Sequence, residues 1–264
     1  MAARRGASAV QGGAGIDQVR VTVMFTPPYT HPLNLQATLK QQGFALLPAA
    51  DVAALSSCAL DDLLALNDSW NRLGSDNYLK DGGKYRSRRH GSCVVSGSGV
   101  QSVPHRAHWQ PVEYNALHGG MERWFEPLEG ATFSGALRAV LAWLGSLSSH
   151  LRGAQDWFTE VHQFRIDTAG GIGRPTPEGA HRDGVDLVAV FLIARAGVKG
   201  GETRIFEADA PAGQRFTLTE PWSVLLLDDA RMIHETTPIQ PASAGGYRDT
   251  LVVTLRARAF QDAV

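Results

Sequence analysis

The sequence predicts a β-rich α+β protein: a double-stranded β-helix (jelly-roll, cupin-like) core flanked by helices. Three observations carry this. Apolar, strand-like runs at 157–166, 185–194, 202–207, 214–219, 222–228 and 249–258 follow one another with short turns, the pattern of an antiparallel sheet pair. One strongly periodic helix, over 134–152, precedes them. Shorter helical patterns lie between 33 and 66, so the helices form an N-terminal layer packed outside the sheets.

The elements are expected in this order. Residues 1–18 are small, Gly/Ala/Ser-rich and aperiodic, and read as a disordered tail. Residues 19–264 read as one jelly-roll domain. Gln18 to Phe25 alternates as a strand does, ended by Pro27 and Pro28. A helix from Leu33 is stopped by Gly43. Phe44-Ala45-Leu46-Leu47 is a short strand closed by Pro48. Asp51 is an N-cap candidate for a helix reaching about Leu66. Residues 74–105 are rich in Gly, Ser and Arg and read as a basic loop, an edge strand or a cavity wall. In the 134–152 helix, Leu137, Val140, Leu141, Leu144, Leu147 and Leu151 recur at helical spacing, with Ser134 to cap it and Gly153 to end it. Gly170, Gly171, Gly173, Pro175 and Pro177 break up the stretch 168–179, which could act as a lid.

Composition bounds the function. Hydrophobic residues are 44% of 264, enough for a sizeable core, and the net charge of -1 offers nothing to nucleic acid or an anionic membrane. No apolar run approaches the ~20 residues of a membrane span, and no apolar segment follows the N-terminal arginines as in a secretory leader. Cys58 and Cys93, the only cysteines, read as free thiols of a cytoplasmic protein.

The chemistry concentrates in Glu178-Gly179-Ala180-His181-Arg182-Asp183-Gly184. In extended chain His181 and Asp183 point to the same side, which delivers an imidazole nitrogen and a carboxylate oxygen to one place. His234 stands after a second apolar run, and Arg248 opens the strand that contains Thr250. Two His and one carboxylate on one face of a metal leave open positions opposite, as in non-haem Fe(II) oxygenases. His105 and His108 have helical spacing, but Pro104 and Trp109 argue for an irregular segment and no third donor lies close in sequence. Tyr114-Asn115 and Gly119-Gly120 read as a turn with close backbone approach.

That order of H-x-D, distal His and Arg resembles the 2-oxoglutarate/Fe(II)-dependent oxygenases. His162-Gln163-Phe164-Arg165-Ile166, Pro175-Thr176-Pro177-Glu178-Gly179, Gly200-Gly201-Glu202-Thr203, Tyr114 to Gly120 and Arg123-Trp124-Phe125 resemble the bacterial branch of free L-amino-acid hydroxylases, isoleucine dioxygenase among them. The resemblance spans roughly residues 40 to 260. It implies Fe(II) on His181, Asp183 and His234, and 2-oxoglutarate and O2 as co-substrates. It also implies that Arg248 clamps the far carboxylate of 2-oxoglutarate, with help from Thr250 and Gln163. A substrate amino acid would meet Arg86, Arg88, Glu178 and Tyr114, although the plainer reading of Glu178 is a solvated loop charge. Asp186 and Asp229 are candidates to orient the ligand imidazoles. Related halogenases lack the carboxylate that Asp183 supplies, which points to hydroxylation with release of succinate and CO2. The expected partner is a small molecule, with a homodimer left open. The rival class is a non-catalytic jelly-roll protein that binds or signals a metabolite and keeps a vestigial metal site.

Overall fold

The computed structural model describes residues 25–97, 99–133, 135–210 and 212–263. The tail expected over 1–18, the strand expected at 18–25 except for Phe25, and the Ser134 cap lie outside these residues.

After a single 3-10 turn, Pro32–Asn34, the chain forms α1 (Leu35–Gln42), β1 (Phe44–Leu47), α2 (Ala49–Ser56) and α3 (Leu60–Ala65). Gly43 ends α1 in the left-handed region at φ 78, and a Cβ there would sit 2.7 Å from Met232 Sδ, so both backbone and packing require glycine. The helix expected from Asp51 to Leu66 is instead two helices. Pro48 is the N-cap, and Asp51 sits inside the first turn, favourable for the helix dipole. Ser57 turns left-handed at φ 54 and stops α2 before α3 begins. A 3-10 stretch, Leu66–Arg72, then leads to β2 (Arg86–Ser96) and β3 (Gly99–Ser102). The Gly/Ser/Arg-rich segment therefore supplies an inner strand: β2 lies between β3 and a later strand.

The remaining elements are α4 (Gly135–Arg152), β4 (Trp157–Asp167), β5 (Leu187–Ala196), β6 (Val198–Gly200), β7 (Thr203–Glu207), β8 (Gly213–Phe216), β9 (Val224–Asp228), β10 (Met232–Thr236), β11 (Ile239–Pro241) and β12 (Tyr247–Ala257). They form a seven-stranded sheet of order β1-β9-β5-β12-β4-β2-β3, a three-stranded sheet of order β10-β7-β8, and the pair β11-β6. All pairings are antiparallel, as a jelly roll requires.

The large sheet is covered on both faces. One face packs on the helices through Leu39, Val52, Leu63, Leu141, Leu144 and their neighbours. Gly145 lets α4 lie against the sheet, since a Cβ there would come within 2.3 Å of Val95 Cγ1. The other face packs on the small sheet through Phe44, Leu46, Val188, Leu192, Ile205, Phe216 and Leu227. Burial on both faces explains why β1 and β9 are buried at every position and apolar up to the terminal Asp228 of β9. Among the described residues no helix is long and apolar enough to cross a membrane.

Candidate metal centre and its cavity

Past the apolar packing, the space between the sheets opens into a polar cavity of about 120 Å³. Its floor follows from strand parity. On β12, Arg248, Thr250, Val252 and Thr254 share one face, and all four line the cavity. Their β4 register partners are Ile166, Phe164, His162 and Glu160, and the next partners on β2 are Arg86, Arg88, His90 and Ser92. Residues directly opposite in an antiparallel pair project to the same face. The register thus sets a lattice of cationic, aromatic, imidazole and carboxylate side chains on one wall.

The opposite rim carries the H-x-D motif. His181 bridges to His234 of β10 by two backbone hydrogen bonds, His181 N–H to His234 O at 3.1 Å and His234 N–H to His181 O at 2.9 Å. Their rings lie 4.6 Å apart. His181 Nε2 is 3.8 Å from Asp183 Oδ1, and His234 Nε2 is 3.9 Å from Asp183 Oδ2. These separations exceed a hydrogen bond. One donor atom from each of the three lies within 4.8 Å of the others, so the group could hold a metal ion. His181 Nδ1 donates to Gly179 O at 2.9 Å, which fixes the tautomer and leaves Nε2 as a lone-pair donor facing Asp183.

The Asp183 carboxylate is held in place. Gln110 Nε2 donates to its Oδ1 at 3.1 Å, and Gln110 Oε1 in turn accepts from Arg123 and Asn115. The backbone N–H groups of Asp183, Gly184 and Val185 all donate to the Asp229 carboxylate at 2.7 to 3.1 Å. Burial and the adjacent Asp183 charge push the Asp229 pKa up to about 7, against the pull of those amides. Burial opposes charging His181, but Asp183 and Glu178 outweigh it and raise its pKa; burial and the facing His181 hold His234 well below the usual range.

Arg248 is buried beneath this rim, and neither its Nε nor its Nη2 has a hydrogen-bond partner. Burial, then repulsion from Arg195, brings its pKa down to about 10. Across the lattice, Arg86 Nε donates to Asp76 Oδ2 at 2.7 Å and keeps a free Nη2. The Arg88 guanidinium lies between the rings of Phe125 and Phe164, 3.7 and 4.3 Å from their centroids. Glu178 Oε1 is 3.6 Å from His181 Nε2, and its Oε2 is unpartnered.

The structure therefore brings together His181, Asp183, His234, Arg248, Thr250, Arg86, Arg88 and Glu178 around one cavity. Two expected site residues are not there. Gln163 has the opposite parity to His162: it faces the helical layer, donates to Ser69 Oγ at 2.7 Å, and is fully buried away from the cavity. Tyr114 lies outside the cavity, its ring against Gly184, where a Cβ would come within 2.5 Å. Asp186 accepts from Ala257 N–H and orients no imidazole, and Asp229 orients the Asp183 turn instead. Gln110, Glu160 and Asp76 are contributors that the motif pattern did not reveal; His108 lies in an irregular segment, as Pro104 and Trp109 implied, and lines the cavity without His105. The His105/His108 spacing and the Tyr114 to Gly120 and Arg123 words pointed at the loop that brings His108, Gln110 and Arg123.

Comparison with known proteins agrees with this geometry. A family model described as 2OG-Fe dioxygenase matches residues 67–254. No curated protein matches the sequence significantly. Among solved structures, a bsmA homolog from Methylobium petroleophilum PM1 is 49% identical with a TM-score of 0.86, covering 90% of this chain and 98% of its own. IDO from Bacillus thuringiensis is 17% identical with a TM-score of 0.70, covering 88% and 100%. The Fe(II)/α-ketoglutarate-dependent dioxygenase TqaL is 18% identical with a TM-score of 0.64, covering 88% of each chain. The last two likenesses concern the fold alone. With a family match over most of its length, the chain belongs to the 2OG-Fe dioxygenases, enzymes that use Fe(II), 2-oxoglutarate and O2.

Proposed function

We propose that the enzyme hydroxylates a small zwitterionic substrate, a free L-amino acid being the simplest, in the manner of the isoleucine dioxygenase-like branch that its motifs resemble. In this reading Fe(II) is held by His181, Asp183 and His234. The donor set fits: two imidazoles and a carboxylate suit a ferrous ion, and the atoms face one another at separations too long for hydrogen bonds. Arg248 takes the far carboxylate of 2-oxoglutarate. A buried guanidinium with two unpartnered nitrogens demands an anion, and a planar carboxylate matches its fork. Thr250, on the same strand face, adds a hydroxyl.

Bound iron and 2-oxoglutarate supply the O2-activating chemistry, with succinate and CO2 as co-products. The chain's own residues position the reactants. Gln110 holds the Asp183 carboxylate, Asp229 holds the backbone turn that carries it, and the Gly179 carbonyl keeps the His181 ring aimed at it. Arg86 and Arg88 receive the substrate carboxylate, and Glu178 its ammonium.

The observation that carries the reading is that unpaired guanidinium nitrogens of Arg86 and Arg88 and an unpaired oxygen of Glu178, which adjoins His181, belong to the lining of one cavity. A purely aliphatic substrate would leave all of these polar atoms desolvated and unmatched. The test is anaerobic loading with Fe(II) and 2-oxoglutarate, then admission of O2 with a panel of free amino acids. Succinate release and a mass gain of one oxygen are read together. A panel member should stimulate both, and His181→Ala should abolish both. Equal turnover by the His181 variant would refute the metal assignment; no stimulation by any zwitterion would refute the substrate class.

A further inference from the structure

We propose that His90, His108, Glu160 and His162 form a second cation site, separate from the His181–Asp183–His234 centre. It would take a divalent first-row metal of the zinc class in a closed shell of protein donors.

The fold builds this site from two adjacent strands and a loop. His90 on β2 and His162 on β4 are register partners, and their rings stack with centroids 4.7 Å apart. Glu160 precedes His162 by two residues, so strand parity puts it on the same face. His108 arrives from the irregular segment after β3, held by a backbone bridge between His108 and Arg123. All four are buried, His90 completely. One donor atom from each lies within 4.8 Å of the other three.

The spacing speaks for a missing centre rather than a hydrogen-bonded cluster. His90 Nε2 stands 3.5 Å from Glu160 Oε1, and His162 Nε2 stands 3.8 Å from Glu160 Oε2. Only His108 Nδ1, at 2.8 Å from Oε2, is at hydrogen-bond distance. Glu160 Oε1 has no hydrogen-bond partner in a side chain only 9% exposed; the Arg106 guanidinium is its nearest permanent cation, with Nη1 at 3.8 Å, too far for a hydrogen bond. An ionised carboxylate buried with an empty lone pair is costly. Two donors that share a zinc-like ion at about 2.0–2.1 Å lie roughly 3.4 Å apart. The His181–Asp183–His234 triad of the same structure shows 3.8 and 3.9 Å between its donors, so both groups have the spacing of a coordination shell. Three imidazoles with one carboxylate are a borderline donor set, which binds zinc more tightly than iron.

Arg88 must respond to occupancy. Its Nη2 is 2.8 Å from His162 Nδ1, and a guanidinium only donates. A neutral His162 that binds a cation through Nε2 carries its proton on Nδ1. Loading therefore moves Arg88 off the ring toward Asp76 Oδ2, already 3.9 Å from its Nη1. The cation would also pin His108 to the sheet, and with it Gln110, two residues on, which donates to Asp183. Its role is to tie a loop of the cavity to the cavity floor. This does not depend on the amino-acid substrate.

The test uses the full chain with the first centre removed, His181→Ala with His234→Ala, stripped by a chelator and titrated with Co(II) and with Zn(II). Bound metal, the Co(II) ligand-field absorption and the melting temperature are read. The expected result is one equivalent per chain, a histidine-rich Co(II) spectrum and a raised melting temperature; the unmutated chain should take two equivalents. Adding Glu160→Gln keeps the side-chain shape and should weaken binding at least ~10-fold. His90→Ala, checked for folding by circular dichroism, should do the same. A double variant that binds no metal overturns the proposal, and so does binding untouched by Glu160→Gln. Metal binding by the double variant alongside an inactive parent chain would sink only the catalytic reading.

Discussion

Replacing Arg248 with methionine separates an anion-binding role from a structural one, because the two roles have opposite consequences for stability. The guanidinium is buried, and its Nε and Nη2 are unpartnered. Holding its charge there lowers its pKa from 12.5 to about 10, a cost of roughly 3 kcal/mol when no anion is bound. Methionine is similar in length and carries no charge. Replacing a buried, ill-paired charge with an apolar side chain commonly stabilises by about 1–3 kcal/mol. For a chain of this size that raises the melting temperature by about 2–10 °C. The same change removes one partner of a buried carboxylate–guanidinium pair and should weaken 2-oxoglutarate by about 2–5 kcal/mol, at least ~30-fold. The assay is a thermal melt of metal-loaded parent and Arg248→Met protein across a 2-oxoglutarate titration, with calorimetry for affinity. The parent should gain stability steeply with 2-oxoglutarate, and the variant should start higher and stay flat. A variant that is destabilised yet binds 2-oxoglutarate as the parent does would refute the reasoning.

Three further outcomes are expected. Gln110→Ala removes the donor to Asp183 Oδ1 and should weaken Fe(II) binding ~10- to 100-fold without unfolding the chain, read by metal titration; an unchanged affinity would make that contact incidental. Gly119→Ala places a Cβ within 2.5 to 2.7 Å of Asn115 O, Pro111 O and the Val112 Cα, all backbone. It should cost at least about 1–3 kcal/mol, seen as a lower urea midpoint, because none of those atoms can rotate away. Asp76→Asn tests the cavity's charge balance. Burial alone would raise the Asp76 pKa, but Arg86 and Arg88 outweigh it and hold it below the usual carboxylate value. Its contribution is then complete above about pH 4 and is lost as pH falls through the depressed folded value. The parent should therefore lose more stability than the variant on going from neutral pH to below about pH 4, and parallel melting curves across that range would contradict the pairing.

What the sequence disclosed and what it hid divide by the range of the determining contact. His181 and Asp183 are two apart, so extended-chain geometry points them together, although they sit on a bridge and a turn ahead of β5; the same rule joins Arg86 with Arg88 and Arg248 with Thr250 on their strands. Parity within a strand does not say which face is inward. Gln163 and His162 are equally eligible until the register Val252↔His162 and Leu251↔Gln163 assigns them, and the choice of Gln163 fell on the wrong face. The break between α2 and α3 escaped for a related reason. Ser57 takes a left-handed conformation that glycine would have advertised and serine does not. The loop of His108, Gln110, Asn115 and Arg123 has no period, and its place is set by long-range bonds such as Gln110 to Asp183 and His108 to Glu160.

β4 shows why so many ionisable groups can share this small interior. A strand buried on both faces ordinarily carries apolar residues throughout, as β1 does. On β4 the cavity face instead reads Glu160, His162, Phe164, while Val161 and Gln163 pack toward the helices. Each polar group on that face has its opposite close by: Glu160 among three imidazoles, Arg86 against Asp76, Arg88 between two rings. Several groups left unmatched line the cavity: Arg248, the spare nitrogens of Arg86, Arg88 and Arg123, and one oxygen each of Glu160 and Glu178. A wall selected only for stability would pair or remove them, since an unmatched buried charge costs several kcal/mol. Their persistence around one cavity, beside the converging donors of His181, Asp183 and His234, is what a site kept open for charged ligands requires.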